Sequence, residues 1–77
     1  MVDQLTRITV DAHRGRALEL ARALAAEGFA VRAERGRYVA DSTTVEAPEA
    51  KRRLRALGFE DREYRILLEG VLRWGIL

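Results

Sequence analysis

The segment His13-Arg14-Gly15-Arg16 places the only histidine of the chain beside two arginines. Guanidinium groups bind phosphate and carboxylate, and so do the free N–H groups at the start of a helix. If a helix begins directly after this segment, the segment is a candidate anion site. The chain contains neither glycine-rich phosphate fingerprint, GxGxxG or GxxxxGK[ST]. A solvated polar loop is therefore the simpler interpretation.

A second group of cations lies further along the chain and is a candidate nucleic-acid-binding surface. Clustered Arg and Lys neutralise phosphates, and the resulting binding weakens steeply with salt. Carboxylates are interspersed among these cations, and aromatic residues free to stack on bases are scarce, so a solvated helix face is the alternative. The candidate residues are Arg35, Arg37, Lys51, Arg52, Arg53 and Arg55.

The side-chain inventory argues against catalysis and against a bound metal or cofactor. The chain has one histidine and no cysteine, which excludes disulfides and thiolate metal sites. Asp11 belongs to the same neighbourhood as His13, but sequence does not assign it as the partner that a general base needs. The chain has no Ser/His/Asp set and no cofactor loop. We therefore expect a domain that is not an enzyme and that has no cofactor.

The C-terminal segment is apolar and carries the only tryptophan. Chain ends fray unless they dock on something. Two interpretations stay open. The segment packs on the protein's own sheet, or it contacts a protein partner or a second copy of the chain, since Trp is frequent in binding hot spots. The candidate partner-binding residues are Val71, Leu72, Trp74, Ile76 and Leu77.

Hydropathy patterns predict the first strand and the first helix. Residues 5–12 alternate between apolar and polar types, which indicates a half-buried strand. Residues 16–27 repeat at helical spacing, and Gly28-Phe29 ends that helix, because glycine takes the left-handed position and the apolar residue folds back. The predicted inward stripe of the helix is Ala17, Leu20, Ala21, Leu24 and Ala25.

Arg35-Gly36 predicts the turn of a β-hairpin. If Glu34 lies opposite Arg37, one face of the hairpin belongs on the core. The residues of that face are Phe29, Val31, Ala33, Tyr38, Ala40 and Ser42.

Pro48 suits the first turn of a second helix, where its missing N–H costs nothing. The apolar stripe of that helix is Ala50, Leu54 and Leu57.

The segment after Phe59 fits two patterns. A helix over residues 61–74 is favoured, with Asp61 as N-cap, because helical spacing relates Tyr64, Leu67, Leu68, Val71 and Leu72. The alternative is a fourth strand, whose buried face would be Tyr64, Ile66 and Leu68.

These elements predict one α+β domain over residues 1–77. Its β-α-β-β-α core forms an antiparallel sheet with both helices on one face, a ferredoxin-like or split βαβ arrangement. The right-handed first crossover leaves room for the third strand between the first and the second. A C-terminal helix follows the core, or a fourth strand completes it.

An internal echo supports this order of elements. Residues 8–29 and 38–59 agree at eight of twenty-two positions without a gap. Both stretches fit a strand, a loop, a helix and a closing Gly-Phe pair. We interpret them as two copies of one repeated structural unit.

Composition bounds the remaining possibilities. The 77 residues contain 14 basic and 12 acidic side chains, so net charge does not by itself indicate a polyanionic partner. The preference for Arg over Lys suits anion recognition, but GC-rich codon usage is the simpler explanation. No apolar run approaches the ~20 residues that span a bilayer, and the N-terminal residues do not resemble a signal peptide. We expect a cytoplasmic protein without membrane contact.

The two Gly-Phe endings, with Arg35-Gly36-Arg37-Tyr38 opening the third strand, resemble SPOR domains over residues 6–59. The resemblance implies a ferredoxin-like fold and binding of bacterial cell-wall glycan. The first strand lacks the Gln and the aromatic residue that this family commonly carries there. The resemblance assigns no binding residue here.

The sequence favours a small non-enzymatic bacterial interaction module. We expect it to bind a protein or to self-associate through its apolar C-terminal segment. Nucleic-acid binding through the Arg-rich helix and hairpin tip is the alternative, and SPOR-like glycan binding is a remote third.

Overall fold

The computed structural model describes residues 5–68, which form an α+β fold of a four-stranded antiparallel sheet and two α-helices. In chain order the elements are β1 (Thr6–Asp11), α1 (Ala17–Ala26), β2 (Ala30–Glu34), β3 (Arg37–Ser42), α2 (Ala47–Ala56), a 3-10 turn (Asp61–Glu63) and β4 (Arg65–Leu68). The strands lie in the order β2-β3-β1-β4. The predicted class is confirmed, and β3 lies between β1 and β2 as expected.

The hairpin has the predicted register. Glu34 lies opposite Arg37, and the two turn residues, Arg35 and Gly36, have φ angles of 52° and 77°. Two successive positive φ angles are the signature of a type I′ turn, whose twist matches that of the flanking strands. The hairpin therefore presents Arg35 at its tip.

The core lies between the two helices and one face of the sheet. Ile8 and Val10 of β1 pack with Leu20 and Leu24 of α1 and with Leu54 of α2, and all five are at most 1% exposed. The strict alternation of burial along β1 confirms the predicted half-buried strand. Both helices therefore cover the same face, as predicted.

Three predicted core positions are wrong. Ala25 is exposed at the margin of the α1 stripe, and Ala33 is exposed on β2, which has a neighbouring strand on one side only. Leu57 is 52% exposed, because it caps α2 and the chain reverses at the next residue. Phe59, at 7% exposure, covers the end of the helix instead.

Both helices end in the same way. Gly28 and Gly58 have φ angles of 96° and 95°, a region that only glycine occupies at little cost. The N–H of Phe29 then donates to the carbonyl of Leu24, and the N–H of Phe59 donates to that of Leu54, each at 3.0 Å. These bonds are those of the Schellman motif, which the two Gly-Phe pairs predicted.

The predicted helix over residues 61–74 is wrong within the described residues. Asp61–Glu63 form a single 3-10 turn, and Arg65–Leu68 form a strand that pairs with β1. The strand forms in place of the helix because β1 would otherwise have an open edge. The N–H and C=O groups along that edge are hydrogen-bonded by β4. Tyr64 and Ile66 pack against the core, as the alternative of a fourth strand predicted.

None of the helices within residues 5–68 is both long and apolar enough to cross a membrane.

Candidate functional site

A cleft of about 440 Å³ opens at one end of the sheet. Its walls are the end of β1, the loop from β1 to α1, the β2–β3 hairpin, and the chain that enters β4. We refer to it as the arginine cleft. Its lining residues are Thr9, Val10, Asp11, His13, Arg14, Arg35, Gly36, Arg37, Arg62, Glu63, Tyr64 and Arg65.

Hydrogen bonds hold the β1–α1 loop in place beside the hairpin in the arginine cleft. The N–H of Ala12 donates to the carbonyl of Gly36 at 3.0 Å, which ties the β1–α1 loop to the hairpin. Asp11 accepts the N–H of His13 on Oδ1 at 2.9 Å, a local turn typical of Asp after a strand. His13 and Arg14 therefore hold defined places beside the hairpin tip.

Four of the five arginines that line the cleft form no salt bridge with an acidic side chain among residues 5–68, although the charge of Arg35 contributes to the lowered pKa of the neighbouring Glu34. The fifth, Arg62, contacts Glu60 at 2.9 Å. Unpaired guanidinium groups carry full charge and five N–H donors in a planar fork that matches phosphate and carboxylate. The four unpaired residues are Arg14, Arg35, Arg37 and Arg65.

The two carboxylates that line the cleft are already bound within the protein. Asp11 accepts the backbone N–H of His13. Glu63 receives Arg16 on both of its oxygens, Oε1 at 3.0 Å from Nε and Oε2 at 2.9 Å from Nη2. The hydrogen bonds from Arg16 hold the pKa of Glu63 below its usual 4.5. The cleft therefore has a net positive charge available to an anion.

Only part of the His13–Arg16 segment belongs to the cleft. His13 and Arg14 line it, whereas Arg16 is not part of the lining. The Arg16 guanidinium also donates to the carbonyl of Gly58 at 2.8 Å and lies 4.4 Å from the centre of the Phe59 ring. The predicted anion site thus keeps one of its two arginines, and the other joins α1 to the end of α2.

The cations of α2 all have acidic partners. Glu49 receives Arg52 at 2.6 Å and Arg53 at 2.8 Å, and these hydrogen bonds lower the pKa of Glu49. Asp61 receives Arg55 at 2.8 Å and Lys51 at 3.6 Å.

None of the α2 cations lines the arginine cleft. The sequence prediction grouped them with Arg35 and Arg37, which do line it. The structure therefore places two of the six predicted nucleic-acid-binding residues in the cleft and leaves four on a face of paired charges.

Arg65 and Tyr64 are cleft residues that the helix prediction could not place. In a strand they lie on opposite faces, and pairing with β1 puts Arg65 opposite Thr9. The signal was present in the alternative strand pattern, in which Tyr64 and Ile66 alternate with Arg65. Burial, followed by the nearby charge of Asp61, raises the pKa of the Tyr64 hydroxyl.

Part of the sheet face opposite the helices is occupied by paired charges. Asp41 accepts Arg7 at 2.7 Å and Arg32 at 2.8 Å, and Arg32 also contacts Glu34 at 2.9 Å. The hydrogen bond from Arg7 is the main cause of the lowered pKa of Asp41. Two guanidinium groups and two carboxylates pair with one another here, while Asp11, Arg37 and Arg65, which line the cleft, lie on the same face of the sheet.

The predicted partner-binding residues Val71, Leu72, Trp74, Ile76 and Leu77 lie outside the described residues. Contact through them stays a prediction. Within residues 5–68, no three His, Asp or Glu side chains are placed to hold a metal ion. The imidazole of His13 has no carboxylate partner in the part of the chain that the structure describes.

Comparisons with known proteins give no match: no family model, no curated protein and no solved structure corresponds to this chain.

Proposed function

We propose that this domain binds single-stranded nucleic acid through the phosphates that the arginine cleft can hold. One observation carries the proposal: four guanidinium groups line one cleft without a salt bridge to an acidic side chain among the described residues. Arginine binds phosphate bidentately, and several such contacts supply most of the affinity for a polyanion. No catalytic step is part of the proposal.

The form of the cleft favours a single strand over a duplex. A helix that reads a duplex presents unpaired basic side chains to the major groove, whereas the cations of α2 are bound to Glu27, Glu49 and Asp61. A cleft of about 440 Å³ accepts a phosphate with its sugar or an unpaired base. Tyr64 is the aromatic side chain in its lining, and such a ring can stack on a base.

The fold is compatible with this proposal. We propose that it is the ferredoxin-like, split βαβ arrangement, supported by the element order β-α-β-β-α-β and by the strand sequence 4-1-3-2 when the sheet is read from β4. A cytoplasmic location, where nucleic acid is present, belongs to the same proposal.

Fluorescence anisotropy with a labelled 12-nucleotide single strand tests the function. We expect binding at low salt, weaker binding to a duplex of the same length, and weaker binding of both at physiological salt. Unlabelled inorganic phosphate at millimolar concentration should compete poorly, because a single phosphate engages only part of the cleft. Equal affinity for duplex and single strand would contradict the strand preference, and absence of binding at low salt would reject the function.

Self-association through Val71, Leu72, Trp74, Ile76 and Leu77 is a second proposal. One observation favours it: Leu67, on the edge strand that leads toward these residues, is 44% exposed. Light scattering should give a mass above that of one chain, and removal of residues 71–77 should return it to one chain. A parent protein that is monomeric at high concentration would reject this proposal.

A further inference from the structure

The arginine cleft contains a glutamate at a position where a free carboxylate would oppose its proposed function. Glu63 lines the cleft between Arg62 and Tyr64, and Arg65 follows two residues later. A free carboxylate at this place would repel a phosphate and attract a neighbouring guanidinium. The described structure shows neither pairing with Arg62 nor pairing with Arg65.

Glu63 does not pair with Arg62 or Arg65 because Arg16 binds it instead. Arg16 reaches from the start of α1 and occupies both oxygens of Glu63, at 3.0 and 2.9 Å. The geometry is the bidentate fork that makes arginine–carboxylate pairs strong. Glu63 Oε2 also accepts the backbone N–H of Glu60 at 2.7 Å, so the carboxylate faces donors from two elements.

The surroundings of Arg16 hold it in this pose. Its Nη2 donates to the carbonyl of Gly58, and its guanidinium lies 4.4 Å from the centre of the Phe59 ring. Phe59 is itself buried in the core. The guanidinium is therefore oriented toward Glu63 by the packed end of α2.

We infer that Arg16 is a positioning residue of the arginine cleft: by holding Glu63, it keeps this carboxylate from pairing with Arg62 or Arg65 and leaves the cleft available to phosphate. This inference rests on the proposed function for its effect on affinity. Its local part, the pairing of the guanidinium groups, can be measured in the free protein.

The first measurement is made without nucleic acid. NMR of the arginine Nε–Hε groups in the full chain should show that Arg16→Gln shifts the signal of Arg62 or Arg65, because the released Glu63 recruits one of them. Arg22→Gln is the matched control, since Arg22 is exposed on the same helix, has no ion pair with the described residues and does not line the cleft. Signals of Arg62 and Arg65 that stay unchanged in Arg16→Gln would overturn the inference.

The second measurement is affinity for the labelled 12-nucleotide strand at low salt. Arg16→Gln should weaken binding by about 5-fold, the effect of one added negative charge near a phosphate at the protein surface. Arg16→Gln combined with Glu63→Gln should restore affinity to within about 2-fold of the parent, because the charge that Arg16 neutralised is gone. Arg22→Gln should leave the affinity within about 2-fold of the parent.

The double variant separates the electrostatic role from a structural one. A double variant as weak as Arg16→Gln would show that Arg16 only supports the fold, and the inference would be wrong. If circular dichroism shows that Arg16→Gln is unfolded, Arg16→Lys replaces it, since Lys keeps the charge but cannot form the bidentate pair. We then expect a shift of the Arg62 or Arg65 signal in Arg16→Lys, and its absence would overturn the inference. A parent protein that does not bind the strand would reject the proposed function, while the NMR measurement would still decide the pairing.

Discussion

The arginine cleft and the outer face of α2 contain similar residues and differ in what those residues contact. The α2 face has Lys51, Arg52, Arg53 and Arg55, and each lies within 4.0 Å of a carboxylate. The cleft has four arginines with no such partner among residues 5–68. A run of basic residues on one helix is therefore a weaker indication of an anion site than an equal number gathered from separate elements.

The physical reason lies in the geometry of a helix. Glu49 is three and four residues from Arg52 and Arg53, a spacing that places these side chains side by side. Oppositely charged neighbours on a helix pair with each other before they meet a ligand. The cleft arginines come from a loop, a hairpin tip and an edge strand. Asp11 and Glu34 lie opposite Arg37 in the sheet, but neither forms a salt bridge with a cleft arginine among residues 5–68.

Charge reversal at the two regions should give the largest difference. Arg35→Glu with Arg37→Glu should weaken binding of the single strand by about 100-fold or more, because two phosphate contacts become repulsive. Arg52→Glu with Arg55→Glu carries the same change of charge and should weaken binding by less than about 5-fold. Anisotropy at fixed salt measures both. The reverse ranking would place the nucleic-acid site on α2, which the sequence hypothesis had grouped with the hairpin tip.

The salt dependence of the affinity should report the number of phosphates that the cleft neutralises. Four phosphates neutralised on a single strand predict a slope of about −3 for log K against log salt concentration. Arg65→Gln should reduce the magnitude of that slope by about 0.7, whereas Arg53→Gln should leave it unchanged. The comparison requires affinities at four or more salt concentrations. A slope near zero in the parent would be incompatible with phosphate recognition.

Removal of the acidic partners should make α2 resemble the cleft. Glu49→Gln with Asp61→Asn frees guanidinium groups that are now paired, so binding should strengthen by about 3- to 5-fold at low salt. Glu19→Gln with Glu46→Gln removes the same charge at two exposed residues that have no ion pair with the described residues and do not line the cleft, and serves as the control. Unchanged affinity in Glu49→Gln with Asp61→Asn would mean that the partner carboxylates do not prevent the α2 cations from binding nucleic acid.

Lowering the pH should reduce the stability that the ion pairs of the α2 face contribute to the fold. Hydrogen bonds from Arg52 and from Arg55 lower the folded-state pKa of Glu49 and of Asp61, respectively. Near these values the folded state binds fewer protons than the unfolded state, so these groups stabilise the fold above about pH 4.5 and lose that contribution as pH falls through the folded pKa.

Thermal melts between about pH 6 and pH 3 should therefore show a flatter decline for Glu49→Gln with Asp61→Asn than for the parent. The cleft variant Arg35→Glu with Arg37→Glu should decline as steeply as the parent, because it keeps both α2 carboxylates and their arginines. Equal profiles for all three proteins would mean that the α2 pairs contribute little to stability, as is common for exposed pairs.

Several elements could be predicted because their signals are local. The alternation of β1, the turn at Arg35-Gly36 and the Gly28-Phe29 ending each depend on backbone preferences of a few adjacent residues. All three have the predicted form. The same local reasoning correctly placed Arg35 and Arg37 at the hairpin tip.

The segment after Phe59 shows where local reasoning stops. Residues 64–68 fit both a helix and a strand, and the local signals favoured the helix. The strand forms because β1 offers an edge to pair with, and that edge exists only once the sheet is assembled. Arg65 joined the cleft for the same reason.

The sequence by itself determined the class of fold, the ends of both helices and the hairpin, since each follows from contacts between near neighbours in the chain. Only the tertiary structure decided which ion pairs form between residues far apart in the chain, because these pairs depend on distance in space. Arg16 and Glu63 are 47 positions apart, and nothing in their local sequence relates them. Their pairing follows from the position of Arg16, at the start of α1, against Gly58 and Phe59 at the end of α2.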